Sequence, residues 1–322
     1  MSSIVPTVLV YGGSGFVGSA VVEQLRKVGC DVRIARAPRL PSMAEADVRR
    51  FINQSPLVKE LAREMGRCFC VVNAAGNPDA SSLDADALTA VNAALPGLLG
   101  AAVATIVSRP RFVHVSSAVV QDRVSCLDDS PAQKGFSPYS RSKVLGERLV
   151  GEYAAGQVVT YRPPSVHAPG RRVTRLIAKV ATSPVATVAR PGSAPSPQAL
   201  LVNVASAIAF LATTPEQPPG IVFHPSEGLT TSGLLEELSG RKPTELPRSL
   251  ARYIVGAANA AGKAVPRLAT DSRRLEMLWF GQAQAPSWLT AAGWQPPAGK
   301  EAWRALGAMV RTERAEAQQR TR

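Results

Sequence analysis

A short apolar strand followed by three evenly spaced glycines constrains the fold of this chain more than any other feature. Val8–Tyr11 has the composition of a buried strand, and the next residues are Gly12-Gly13-Ser14-Gly15-Phe16-Val17-Gly18. An amphipathic helical pattern then runs to Gly29, which is expected to end the helix. A strand, a glycine turn and a helix in this order predict an α/β fold with a doubly wound parallel sheet of the Rossmann type.

The three glycines have separate physical tasks in such a turn. Gly12 allows the tight turn, Gly15 lets the backbone approach a pyrophosphate, and Gly18 lets the helix pack on the strand. The N-terminus of the helix adds unpaired N–H groups and the positive end of its dipole. We therefore expect the whole segment from Gly12 to Gly18 to bind a dinucleotide cofactor.

The end of the second predicted strand bears on which dinucleotide is bound. An NAD-binding domain usually has an acidic residue about 20 positions after the glycine turn, where it holds ribose hydroxyls. Ala35 and Arg36 occupy this zone, and Asp31 comes too early. Arg36, helped by Arg39, can pair with a 2′-phosphate, although both can also be solvated loop residues. This pattern favours NADP(H), with NAD(H) as the alternative.

Tyr139 and Lys143 lie one helical turn apart, on the same face of a predicted helix. A phenol normally ionises near pH 10, and a nearby ammonium lowers that pKa. Such a pair can transfer a proton to or from a hydroxyl oxygen while a hydride moves at the carbon. A tyrosine and a lysine four residues apart also occur by chance on solvated helices. The glycine turn in the same chain is what favours the catalytic interpretation.

Three more stretches complete the pattern. Phe69–Gly76 is an apolar strand that runs into a small-residue turn, and Asn92 lies in the following helix. The stretch Arg111–Val120 contains a further buried strand, which ends in the two hydroxyl residues Ser116 and Ser117. Together with the Tyr139–Lys143 pair, these stretches resemble the extended short-chain dehydrogenase/reductase family, in its NAD-dependent epimerase/dehydratase branch that acts on nucleotide sugars. The segments 137–147, 161–170 and 292–297 are similar to further motifs of that family.

The resemblance implies a role for each matching residue. Ser117, Tyr139 and Lys143 are the implied catalytic residues. Asn92 is implied to support a water or the backbone behind Lys143, although a purely structural role fits equally well. The residues implied to contact the cofactor, besides the glycine turn and Arg36, are Ala74, Ala75, Asn92, Tyr139 and Lys143. A smaller C-terminal α/β part is implied to bind the substrate.

The chain also departs from the family pattern. Ala118 and Val119 stand where dehydratases have an Asp-Glu pair, and neither side chain exchanges a proton, which argues against dehydration. Asn53 lies near the place of an aspartate that often follows the third strand. His167 replaces the usual tyrosine of its segment, where it either lines the substrate cleft or serves as a structural loop histidine.

A cluster of arginines follows the same segment. Arg171, Arg172 and Arg175 are expected to meet the diphosphate of a substrate, and an exposed basic turn is the alternative.

These observations favour reduction of a keto group on a nucleotide-linked sugar, with Tyr139 as the proton donor. Three alternatives remain: a nucleotide-sugar epimerase with tightly bound NAD, a reductase of a non-sugar carbonyl such as a sterol or flavonoid, and a non-catalytic dinucleotide sensor. A nucleotide that copurifies with the protein would favour the epimerase, whereas consumption of NADPH would favour the reductase.

Length and composition set the remaining expectations. The 322 residues fit a cofactor domain over 1–165 with later segments returning to it, a substrate-binding part over 166–310 and a charged tail over 311–322. The net charge of +13 raises the possibility of nucleic-acid binding, but the basic residues are dispersed and aromatic residues make up only 5%. We expect an anionic small-molecule substrate and no nucleic acid.

Cellular context and assembly complete the predictions. Apolar runs are too short to cross a bilayer, so we expect no membrane partner. Cys68 and Cys70 alternate along a strand without further ligands, which predicts buried packing and no metal site. Few cysteines and no evident signal peptide favour a cytoplasmic protein, and the family resemblance implies a homodimer.

Overall fold

The computed structural model describes residues 5–264 and 266–320 of the chain. Its strands are β1 (Thr7–Tyr11), β2 (Asp31–Ala35), β3 (Cys70–Asn73), β4 (Arg111–Val115), β5 (Cys126–Leu127), β6 (Val158–Arg162), β7 (Ser165–His167), β8 (Thr187–Ala189), β9 (Gln198–Leu200), β10 (Ile221–Phe223), β11 (Thr244–Leu246) and β12 (Ala283–Gln284).

The α-helices alternate with these strands through much of the chain. They are α1 (Phe16–Lys27), α2 (Val48–Gln54), α3 (Leu57–Met65), α4 (Ala85–Thr89), α5 (Leu95–Ala104), α6 (Pro138–Tyr153), α7 (Arg172–Ala181), α8 (Leu201–Thr213), α9 (Thr231–Ser239), α10 (Arg248–Ala264), α11 (Pro266–Phe280), α12 (Trp288–Ala291) and α13 (Lys300–Arg320). One π-helical turn (Ala90–Ala94) joins α4 to α5, and 3-10 turns cover Glu45–Asp47 and Ala118–Gln121.

Six parallel strands form the central sheet, in the order β10-β6-β4-β3-β1-β2. Successive side chains of a strand point to opposite faces. Val8 and Val10 accordingly pack into the core on the side of α1 and α8, whereas Leu9 and Tyr11 pack into the core on the side of α5 and α6. The sequence prediction of a doubly wound parallel sheet is confirmed.

The sheet ends at β2, although the usual order for this architecture places a further strand outside it. Between β2 and β3, the described residues form only the 3-10 turn, α2 and α3. Asn53 therefore lies in α2 and not after a third strand, and its side chain accepts a hydrogen bond from the Tyr153 hydroxyl (2.8 Å). The expectation that Asn53 lies close after a third strand is wrong, because that segment is helical.

Later parts of the chain divide between the sheet and a second core. Helix α8 packs on α1, and β10 extends the sheet beside β6. Helices α7, α9 and α13 enclose a separate cluster centred on the fully buried Trp303. Residues 311–320, expected from composition to be a tail, continue α13, while 321–322 lie outside the described residues.

The continuous helical stretch from Ala85 to Ala104 is long and apolar enough to cross a membrane by length and composition, contrary to the expectation that the apolar runs are too short. However, 78% of its apolar window is buried inside the protein. Its composition is therefore explained by packing in the core of the domain.

A buried ion pair fixes α6 against the sheet. The Arg162 guanidinium donates to both carboxylate oxygens of Glu147, with Nε–Oε1 and Nη2–Oε2 distances of 3.0 and 2.7 Å. It also donates to the Ser130 carbonyl oxygen (2.8 Å), and the Gln133 amide donates to Glu147 (2.7 Å). Both charged side chains are almost fully buried, so each depends on the other for compensation.

We expect Glu147→Gln to destabilise the protein by about 3–5 kcal/mol, because it leaves the Arg162 charge buried without a counter-ion. Glu152→Gln is the matched control on the same helix, since Glu152 pairs with Arg49 at the surface (2.9 Å). That change should cost less than about 1 kcal/mol. Urea unfolding of both variants provides the measurement, and equal losses would contradict the assignment.

Candidate active site

The glycine turn lies at the carboxyl end of β1, against the loop that follows β3. Gly12 has a φ of +77°, and a Cβ at this position would come within 2.5 Å of the Ala75 nitrogen. A Cβ on Gly18 would lie 2.0 Å from the Gly12 carbonyl oxygen. Both positions therefore require glycine, as the sequence predicted. Gly15 is the N-cap of α1, and no side chain caps the free N–H groups there.

Asn92 holds the loop after β3 in place. Its Oδ1 accepts from the Asn77 backbone nitrogen (2.9 Å), while its Nδ2 donates to the Asn77 carbonyl oxygen (3.1 Å) and to Ser142 Oγ (3.2 Å). Ser142 Oγ in turn donates to the Tyr139 carbonyl oxygen (2.8 Å). Asn92 thus links the small-residue turn with Ala74 and Ala75 to the helix that carries the Tyr–Lys pair.

Tyr139 lies in the first turn of α6, and the start of this helix is fixed by a capping box. Ser137 Oγ accepts from the Ser140 nitrogen (3.1 Å), and Ser140 Oγ accepts from the Ser137 nitrogen (2.8 Å). Ser117, just after β4, lies close enough to Tyr139 to lower the pKa of the phenol. The structure therefore brings together the hydroxyl residue and the phenol that the sequence predicted as partners.

Lys143 lies one turn further along α6 and is buried. Its ammonium donates to the Val115 carbonyl oxygen (3.3 Å), and burial lowers its pKa from 10.5 to about 8, with Glu147 acting in the opposite direction. A Cβ added to Gly76 would lie 3.4 Å from Lys143 Nζ and 3.0 Å from Asn92 Oδ1. Lys143 therefore borders the same loop as the glycine turn.

His114 is a buried neighbour that the sequence analysis did not single out. Burial, followed by the charge of Lys143, lowers its pKa to about 3, so the ring is neutral at physiological pH. One ring nitrogen lies 3.2 Å from the Asn73 amide nitrogen, and Nε2 has no hydrogen-bond partner among residues 5–264 and 266–320. Alternation along β4 is the signal that places His114 on the face of α6.

The charge that acts on the Tyr139 phenol differs from the prediction. Burial raises the pKa of Tyr139, while the nearby Ser117 hydroxyl and the charge of Arg171 lower it. Lys143, which was expected to lower this pKa, donates to the Val115 carbonyl oxygen, and burial makes it easier to deprotonate than an exposed lysine.

Arg171 spans the cleft between the glycine turn and the phenol. Its guanidinium lies 4.3 Å from the centroid of the Phe16 ring, within the range of a cation–π contact. Arg171 is the N-cap of α7, Arg172 is the first residue of the helix and Arg175 follows in the same turn; the first turn contains no acidic residue. Of the three predicted substrate-binding arginines, only Arg171 is partly buried; Arg172 and Arg175 are exposed.

His167, for which the sequence left either a place in the substrate cleft or a structural role, is fully buried. One ring nitrogen contacts Thr174 Oγ1 (3.1 Å), and the other contacts Gln198 Oε1 (2.7 Å). The ring also packs against Trp303, with centroids 5.3 Å apart. The structural alternative fits these contacts and the substrate-binding one does not, because both ring nitrogens are used by the protein and His167 joins β7 to α7 and β9.

Arg36 lies just after β2, and its side chain is exposed, as is that of Arg39. Neither has an ion-pair partner within the described part of the chain. Among those residues, no group of His, Cys, Asp and Glu side chains is suited to hold a metal ion.

The residues present fit a dinucleotide. Side chains at Gly12 and Gly18 would collide with the backbone, the N-terminus of α1 is uncapped, and Arg36, Lys143 and Arg171 place positive charge around the cleft. An anionic cofactor with a diphosphate is the ligand that such a site recognises.

Comparisons with known proteins agree with this geometry. The model of the NAD dependent epimerase/dehydratase family matches residues 8–223. No curated protein sequence matches the chain. Among similar solved structures is a UDP-glucuronic acid 4-epimerase from Bacillus cereus in complex with UDP-glucuronic acid and NAD, with a TM-score of 0.61 and 16% identity over 95% of this chain and 99% of that one. A dTDP-4-dehydrorhamnose reductase from Clostridium acetobutylicum has a TM-score of 0.63 and 15% identity over 95% of this chain and 99% of that one. A dTDP-4-dehydrorhamnose reductase from Bacillus anthracis in complex with NADP has a TM-score of 0.61 and 15% identity over 94% of this chain and 98% of that one.

Burial of Lys143 has a consequence for stability. Because its folded pKa of about 8 is below the ordinary value of 10.5, the unfolded chain binds more protons between these values, and stability rises with pH across this window. We expect Lys143→Met to be more stable than the wild type at neutral pH by up to about 3 kcal/mol, with the gain vanishing as the pH rises through the window. Urea unfolding at several pH values measures this difference.

The exposed Lys59 provides the control. Lys59→Met should show no comparable change in relative stability over the same pH range. A stability difference for Lys143→Met that stays constant up to high pH would contradict the burial argument.

Proposed function

Because the chain belongs to the NAD-dependent epimerase/dehydratase family, we propose that it reduces a keto group on a nucleotide-linked sugar, using NADPH. The observation that carries this proposal is the convergence of Tyr139, Ser117 and Lys143 beside the glycine turn, at the carboxyl edge of the parallel sheet. Ligands of open α/β folds bind at this edge.

Each of the three residues has a distinct task in this reaction. The cofactor, when bound, supplies the hydride. Tyr139 donates its phenolic proton to the carbonyl oxygen, and Ser117 hydrogen-bonds the same oxygen and orients it. Lys143 would hold the ribose of the cofactor, and Arg171 supplies the positive charge that makes the phenol more acidic.

An anionic substrate is supported by the start of α7. Cations at a helix N-terminus are unfavourable because the dipole is positive there, and yet Arg171, Arg172 and Arg175 cluster at this end without an acidic residue. A diphosphate would compensate both the arginines and the free N–H groups of the helix. The UDP-glucuronic acid bound by the B. cereus epimerase has such a diphosphate.

An epimerase is the second candidate, since oxidation followed by re-reduction on the other face uses the same three residues. The similarity to the B. cereus 4-epimerase, which binds NAD, favours it. The similarity to the B. anthracis reductase, which binds NADP, favours reduction. Arg36 and Arg39, in place of an acidic residue, are why we propose the reductase with NADPH.

The proposed chemistry is tested with Tyr139→Phe. We expect turnover of a 4-keto nucleotide sugar to fall at least 100-fold, because general acid catalysis is typically worth about 10²–10⁴ in rate. NADPH binding, measured by fluorescence, should stay within about twofold of the wild type, since the lost hydroxyl acts on the substrate. Tyr153→Phe, at the other end of α6, is the control.

Product analysis separates the two candidates. One NADPH consumed for each sugar alcohol formed supports the reductase. Interconversion of sugar epimers with no net change of added cofactor would overturn it in favour of the epimerase, as would NAD found in mass spectra of the purified protein.

Cofactor choice is tested with Arg36→Asp. We expect the Kd for NADPH to rise at least tenfold, because a phosphate-pairing cation becomes an acid, while the Kd for NADH stays equal or falls. Arg26→Ser, an exposed change at the far end of α1, should alter neither value. An unchanged NADPH affinity in Arg36→Asp would exclude recognition of a 2′-phosphate by this residue.

A further inference from the structure

A groove of about 870 Å³ opens at the amino-terminal edge of the central sheet, opposite the candidate active site. It lies where β1, β3 and β4 begin and where the chain leaves α3, α5 and α6. A volume of this order is typical of small-molecule sites, which hold about 300–1,000 Å³. Nothing in the reaction proposed above uses this edge of the sheet.

The groove carries positive charge that no acidic residue of its lining offsets. Arg67 and Arg109 line it, and no acidic residue does. Neither guanidinium has a hydrogen-bond or ion-pair partner in the described ranges 5–264 and 266–320. Arg111, also in the lining, is committed differently, because its guanidinium donates to the carbonyl oxygens of Leu211, Thr214 and Glu216.

A buried amide also lines the groove. Gln157 lines the groove and is only 8% exposed. Its Nε2 has no hydrogen-bond partner within the residues described. Such a group is costly to bury unless a hydrogen-bond acceptor meets it. Because Nε2 itself has almost no accessible surface, an oxygen atom of a ligand in the groove would satisfy this amide after the side chain rotates toward the groove.

Part of the remaining lining is apolar, next to the polar residues Thr7, Ser108, Thr213 and Gln217. Phe69 is 48% exposed and Val5 is 54% exposed. Both lie in apolar stretches next to strand starts, where burial would be expected. Pro6 and Pro110 extend this surface. A flat apolar group could pack here, next to the two guanidiniums.

We propose that this groove binds a small organic phosphate, a phosphate monoester with an aromatic or otherwise apolar body. Two guanidiniums and one amide offer more donors than the two oxygens of a carboxylate accept, and they suit the oxygens of a phosphate. Phe69 and Val5 receive the body of the ligand. The site is separate from the cofactor cleft and does not depend on the proposed reaction.

The ends of α3, α5 and α6 offer another reason for cations at this edge, since helix C-termini are negative. In that case Arg67 and Arg109 would only offset helix dipoles, and their removal would lower stability without any ligand. The experiment therefore measures ligand binding and its location separately from folding.

Hydrogen–deuterium exchange of the full-length protein, with millimolar phenyl phosphate, uridine monophosphate or inorganic phosphate, locates binding. We expect phenyl phosphate or the nucleotide to protect residues 66–69 and 106–111 in the wild type. Calorimetric affinity should fall at least tenfold in the double variant Arg67→Ser, Arg109→Asn; asparagine is chosen because Arg109 has a φ of 48°. Arg63→Ser, an exposed change on α3 outside the groove, should bind normally.

Gln157→Met separates binding from folding. It removes a buried unpaired amide, so the variant should be at least as stable as the wild type in urea and yet bind phenyl phosphate several-fold more weakly. Absence of protection in the wild type with every probe would overturn the proposal, as would protection confined to residues 12–18 or 167–175, or equal affinity in the double variant. Inorganic phosphate binding as tightly as phenyl phosphate would overturn the organic part of the assignment.

Discussion

The ion pair between Glu147 and Arg162 determines where the candidate catalytic residues lie. Glu147 is one turn after Lys143 and two turns after Tyr139 on α6, and Arg162 ends the neighbouring strand β6. Two charges can be held so far from water only with close geometry and further hydrogen bonds, which Ser130 and Gln133 supply. The position of the phenol over the sheet edge thus depends on interactions well below the cleft.

Electrostatics in the cleft are dominated by positive charge. Lys143 is buried with a lowered pKa, Arg171 lies over Phe16, and the start of α7 adds two more arginines. An anionic ligand would stabilise this arrangement, whose basic residues contribute to the net charge of +13. Part of the positive charge of the chain therefore lies in the residues that line the candidate active site.

Local sequence rules were sufficient for the parts of the fold in which backbone geometry is decisive. Gly12 and Gly18 could be assigned because no larger residue fits their surroundings, and the spacing of Tyr139 and Lys143 puts both on one helix face whatever the tertiary structure. The family resemblance added Ser117, whose contact with Tyr139 depends on residues far apart in sequence.

Features that depend on tertiary packing were not predictable in this way. A polar histidine in a loop segment is compatible with a place in the cleft. Its hydrogen-bond partners Thr174 and Gln198, however, come from other elements. The influence of Arg171 on the phenol requires the start of α7 to fold over the glycine turn, which no local pattern encodes. The helical segment around Asn53 replaced an expected strand, because α2 packs its apolar side against the core beside α5.

The absence of a strand outside β2 in the described structure affects how copies of this protein can meet. The outer backbone groups of β2 are free to pair with another strand, which is a known route to aggregation. Asp31 and Arg33 are exposed on this strand and interact with each other (3.7 Å), and charged side chains on an open edge disfavour the addition of a foreign strand. The charge on this edge therefore works against self-association through strand pairing at β2.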